Sequence, residues 1–204
     1  MANTVSAFGL RPVRHKNGSP WNGATVPVYC SASYGTALFI GDPVDASLVN
    51  AEKDATGHYL SVNLSTGADA QLIRGVIVAF DPYPANLELQ YRLASTERIA
   101  HCVMDPSVIF EVRGDGGGTP IDNWTGMNAV LIATSSGDTT TGLSGMNLDE
   151  GTSAGPDENQ SFPLVIEGLS NVEGNELGDD ALWDVSLNTH FNAVGLVLGV
   201  STTS

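Results

Sequence analysis

LELQYRLASTERIAHCVMD, residues 87–105, is the stretch on which the fold class turns. Its second half can be read as a helix from Ser95 to Cys102. LELQYRL, however, alternates apolar and polar residues with the period of two that a half-buried strand requires. Read mostly as strand, the segment agrees with its surroundings. Twenty-three glycines and ten prolines interrupt the 204-residue chain too often for a long amphipathic helix. Outward from it lie VPVYC (26–30), TALFI (36–40), HYLSVNL (58–64), RGVIVAF (74–80), SVIFEV (107–112), AVLIA (129–133), FPLVIEGL (162–169) and WDVSLNTHF (183–191). These runs are short, rich in β-branched and aromatic residues, and bounded by Gly, Pro, Asp or Asn. They predict an all-β protein, with short antiparallel strands forming a β-barrel or sandwich and little helix.

Residues 1–25 have no such periodicity, carry Arg-Pro, Ser-Pro and Asn-Gly breakers, and read as an extended N-terminal arm. RGDGGGTPIDN (113–123) suggests a seam between an N-terminal β-rich part, 26–115, and an acidic C-terminal β-rich part, 116–204. One continuous domain from residue 26 is the alternative. Hydrophobic content of 42% with only 15% charged residues predicts an ordered chain, long enough to bury its own core.

Charge is laid out unevenly. Residues 1–41 hold three bases and no acid, 42–113 five bases and ten acids, and 114–204 thirteen acids with no Lys or Arg, for a net charge of -15. Such a polyanion repels nucleic acid and anionic membranes alike. Cys30 and Cys102 form no metal or redox spacing and read as small buried hydrophobes. No apolar stretch follows the early charges as in a signal peptide, so synthesis in a cytoplasm is expected. The longest apolar run, AVGLVLGV, is too short to span a membrane.

Motifs for catalysis fail on context. GTSAG (151–155) has the spacing of a nucleophile elbow, but Ser153 lies between acidic loops instead of between a strand and a helix. RGDGGGT (113–119) lacks the Lys-Ser/Thr pair of a phosphate loop. Asp179, Asp180 and Asp184 lack the alternating order of a calcium loop, and His15, His58, His101 and His190 are isolated. No enzyme, cofactor or metal is expected. The candidate contact residues are instead Phe8, Arg11, Arg14, Lys16 and Trp21 in the arm. Bases capable of pairing with carboxylates stand there beside aromatics that need a surface to bury them.

The phrases FGLRPVRHKNGSPWNG (8–23), YGTALFIGDPV (34–44), RIAHCVMDPSVIFEVRGDG (98–116), TGMNAVL with TTTGLSGMNLD (125–149) and VSLNTHF (185–191) together resemble the capsid decoration, or cement, proteins of tailed bacteriophages. The resemblance implies a non-enzymatic virion protein made in the bacterial host cytoplasm and added to the outer capsid surface. Its implied partner is the major capsid protein, and its implied state a homotrimer whose arms reach onto capsid subunits. A virion-surface carbohydrate-binding or host-adhesion protein is the alternative expectation, carried by the β-rich halves and the loops of 135–160.

Overall fold

The computed structural model describes residues 6–46, 56–118, 124–133 and 136–191. The first five residues of the expected arm, the end of the glycine-rich seam and the AVGLVLGV run lie outside the described residues. The described chain is all-β, with three antiparallel sheets packed together. In chain order the strands are β1 (Arg11–His15), β2 (Val26–Cys30), β3 (Pro43–Ala46), β4 (Val62–Leu64), β5 (Gly75–Phe80), β6 (Arg98–Val103), β7 (Val108–Arg113), β8 (Asn128–Ala129), β9 (Leu131–Ile132), β10 (Asn147–Leu148), β11 (Leu164–Leu169) and β12 (Leu182–Leu187).

Strands β2 to β6 build one sheet, in the order β2-β6-β5-β3-β4. Its outer strands meet: the Tyr29 amide donates to the Leu60 carbonyl at 2.8 Å, and Tyr29 bridges Ser61. The sheet thus curls until its outer strands touch at this one point, in the manner of a small barrel. Val28, Cys30, Val44, Val62, Ile77, Ala100 and Cys102 fill the interior. Both cysteines are free and buried, as the sequence suggested. Burial pushes the Cys30 thiol up to about 11, against the opposing charges of Arg92 and Arg98, and Cys102 is raised as well.

The segments on either side of the barrel form the second sheet, β1-β7-β12-β11-β8, and β9 with β10 form a two-stranded ribbon. The alternation of β7 sends Val108, Phe110 and Val112 into the main core. There they join Trp183 and Val185 of β12, Leu164 and Ile166 of β11, and Ile73, Val76 and Val103 from the barrel. Trp124 and Trp183 pack tilted at 5.4 Å within it.

The opening stretch is half as expected. Residues 98–103 are strand β6, but 87–93 are turns, with a single bridge between Arg92 and Leu38. Alternation predicts a strand only when one face has something to cover it, and Leu87 stays 76% exposed. Two arginines organise this loop. Arg92, 0% exposed, donates to the carbonyls of Ser31, Tyr34, Thr36 and Thr96, and Arg98 to those of Asp81, Leu89 and Tyr91. TALFI is likewise no strand: Leu38 and Ile40 make isolated bridges, and Phe39 stacks on Tyr91 at 4.8 Å.

Candidate functional site

The N-terminal segment is extended, and its middle is strand β1, paired with β7 in the register Arg11 to Glu111, Pro12 to Phe110 and Arg14 to Ile109. A bulge at Val13 lets Arg11 and Arg14, three positions apart, face the same side. The chain turns after His15, whose amide donates to the Ser19 carbonyl at 2.8 Å, and returns so that Pro20 bridges Arg14. A proline on that rim has no amide to offer a stray strand.

Before β1 the chain crosses the barrel at Gly41, whose carbonyl accepts from the Leu10 amide at 2.9 Å. Gly9 and Gly41 both have positive φ, +70° and +96°, and a Cβ on either would collide with the other strand of the crossing. This close approach seats Phe8 and Leu10 against the body.

A cavity of about 990 Å³, partly open to solvent, lies between this segment, the β5–β6 part of the barrel, and the ends of β7 and β12. Phe8, Leu10 and Trp21 form one wall, and Ile40, Val78 and Leu143 another. Its ionisable side chains are basic, Arg11, His101 and Arg113, and Ser6 and Thr25 add neutral hydroxyls. No Asp or Glu is found among the described lining residues, although the chain has 23 acids against eight Lys and Arg. Arg113, 8% exposed, donates to the carbonyls of Ser6 at 3.0 Å and Asp180 at 2.7 Å. Burial lowers its pKa, Asp180 and Glu111 oppose that, and a guanidinium stays charged regardless. His101 Nε2 lies 2.8 Å from Asp81 Oδ1.

The structure therefore brings Phe8, Arg11 and Trp21 together in one groove, whereas Arg14 and Lys16 lie elsewhere on the segment. All three bases face the protein's own carboxylates. Arg11 pairs with Glu111, Arg14 with Asp184, and Lys16 Nζ lies 3.5 Å from Glu167. Glu111 is 1% exposed and also accepts from the Ser170 hydroxyl at 2.6 Å. The positive charge of the segment thus has a local structural role: it straps β1 across the carboxylates of β7, β12 and β11. Sequence reasoning missed Val78, His101, Arg113, Leu143 and Leu182 of the groove. Each comes from a different local context, and nothing nearby in sequence marks it.

The motifs set aside on context form a clasp. Glu150, 2% exposed, accepts from Trp183 Nε1 at 2.8 Å and from the Gly116 amide at 3.0 Å. Asp115 accepts from the Glu150 amide at 2.9 Å and from the Thr152 hydroxyl. Asp149 accepts from the Gly151 amide at 2.9 Å and the Ala154 amide at 2.8 Å, and also from Ser153. Burial opposes ionisation of Asp149, but these amides outweigh it and hold its pKa low. Ser153 is therefore in a turn capped by a carboxylate, and the Arg113 and half-buried Asp115 side chains are hydrogen-bonded within the protein.

His15 Nδ1 lies 3.2 Å from Ser107 Oγ and 3.5 Å from Asp105 Oδ2. Both partners share one ring nitrogen, whereas a nucleophile relay uses both. Among the described residues no group of three His, Cys, Asp or Glu could hold a metal, and no helix is long and apolar enough to cross a membrane. Compared with known proteins, the chain matches no family, no curated protein and no solved structure.

Proposed function

We propose that this is a structural virion protein that binds the outer surface of a tailed-phage capsid and stabilises the shell. The groove walled by Phe8 and Trp21 serves as its docking surface. The observation that carries the reading is the groove itself: apolar walls and basic ionisable groups, with no acid in the described lining, on a protein of net charge -15. Aromatic side chains lining a concavity are the usual anchors of protein contacts. The resemblance in the N-terminal and later phrases supplies the identity of the partner, major capsid protein, and the homotrimeric state. A barrel-like sheet joined to a strapped sheet suits a part that must bear load without rearranging, and the net negative charge disfavours contact with packaged DNA.

Binding to shells that lack the protein tests the proposal. Purified protein should saturate the shells, and Phe8→Ala with Trp21→Ala should remove most of the occupancy while the protein stays folded by circular dichroism, at some cost in thermal stability because Trp21 also packs against the main core. A doubly substituted protein that still saturates the shells would overturn the groove as the docking surface.

A further inference from the structure

We infer that the occupant of the groove is an extended segment of the partner carrying a bulky apolar side chain close to a carboxylate. The apolar group packs against Phe8, Trp21 and Val78, and the carboxylate is held by Arg113. The inference rests on the docking reading above and adds the chemistry of the segment that docks.

Charge is the first argument. The described lining takes two of the eight Lys and Arg and none of the 23 acids. The two arginines are not equivalent. Arg11 has a charged partner in Glu111, whereas the groups hydrogen-bonded to Arg113 are the neutral carbonyls of Ser6 and Asp180. Asp180 and Glu111 are near enough to favour the charge of Arg113, but Glu111 is already shared by Arg11 and Ser170. A carboxylate arriving in the groove gives this cation the bidentate partner that guanidinium geometry favours.

Shape is the second argument. A volume of about 990 Å³ partly open to solvent exceeds what one side chain fills, and lies at the upper end of small-ligand pockets, about 300–1,000 Å³, which enclose most of their ligand. A partly open groove of that size fits consecutive residues of a chain. The rest of the protein directs such a segment here. Thirteen acids and no Lys or Arg follow residue 113, so an acidic segment is repelled by the part of the chain that follows it.

Ala79 gives a test that leaves the fold alone, since it lines the groove and is exposed. Ala79→Glu should lower affinity for capsid shells by roughly ten-fold or more at low salt, and Ala79→Lys should not lower it. As a direct probe, the pentapeptide Ac-Gly-Leu-Phe-Glu-Gly-NH2 should change Trp21 fluorescence and compete with shells, because Trp124 and Trp183 are buried. Its Gln analogue should bind several-fold more weakly and its Lys analogue not at all. If Ala79→Glu and Ala79→Lys bind shells alike while Phe8→Ala with Trp21→Ala does not bind, the docking surface stands and the acidic occupant is overturned. If all these variants bind as wild type does, the docking reading itself fails. A response to dodecanoate without any response to the peptide would also overturn the inference, in favour of a small amphipathic anion.

Discussion

Replacing Glu150 by Gln should remove a large part of the protein's loss of stability as pH rises from about 4.5 to about 7. Burial is the main reason that the Glu150 carboxyl is pushed from 4.5 to about 7; the Trp183 and Gly116 hydrogen bonds oppose the rise, and the neighbouring charges of Asp115 and Asp180 add to it. Between those two values the folded protein keeps a proton that the unfolded chain has released. Folding is therefore favoured at the acid end of the window and loses stability as pH rises through it. At about 1.4 kcal/mol per pH unit the displacement amounts to about 3 kcal/mol. Gln has nearly the same shape and no charge; its amide nitrogen cannot accept from Trp183 Nε1 or the Gly116 amide, a loss that is the same at every pH and so leaves the slope untouched. Urea unfolding at intervals from about pH 4 to about pH 8 should show the wild type losing about 3 kcal/mol that Glu150→Gln keeps. Asp42 works in the same direction, raised to about 6 by burial against hydrogen bonds from Ser144 and Phe39. Its contribution persists in the variant and cancels in the comparison. Two stability curves that run parallel within about 0.5 kcal/mol across the range would refute the account of Glu150 as a buried, proton-holding acid.

Two further substitutions probe the frame of the groove. Arg11→Ala leaves the carboxylate of Glu111 buried beside Ser170 without its cation, at a cost of about 2 kcal/mol given that water reaches the arginine side. Glu111→Gln in the same chain should recover most of that loss, and thermal unfolding that shows no recovery would mean that the pair does not hold β1. A Cβ at Gly114 would strike the Glu150 carboxylate, so Gly114→Ala should cost about 2 kcal/mol as overpacking. The loss should shrink in a Glu150→Ala background, and an equal loss in both backgrounds would place the strain elsewhere.

Much of the fold was legible because strand signals are local. VPVYC, RGVIVAF, SVIFEV and FPLVIEGL all contain strands close to the expected places, since each carries its own β-branched pattern and turn boundaries. LELQYRL misled because alternation records what a strand needs and is silent on whether a partner exists. The meeting of the barrel's outer strands at Tyr29 and Leu60 depends on a pairing between distant segments, and no residue pattern announces it.

The same limit governs the site. Phe8 and Trp21 could be singled out as aromatics in a polar segment. The acid partners of Arg11 and Arg14 lie 100 and 170 residues away, so bases that looked unpaired in the sequence are paired in the fold. Arg113 sat in plain view inside a short tripeptide, but its place at the groove follows only from the pairing of β7 with β1 and β12. The bulge at Val13, which turns Arg11 and Arg14 to one side, left no mark in the sequence.

The most direct test of the capsid-binding account is a reconstruction of phage shells with and without this protein. The account predicts added density on the outer surface, arranged at local three-fold positions, with the Phe8–Trp21 groove turned toward the capsid subunits. Shells that gain no density when the protein is supplied in excess, or that bind it with the groove facing solvent, would contradict it.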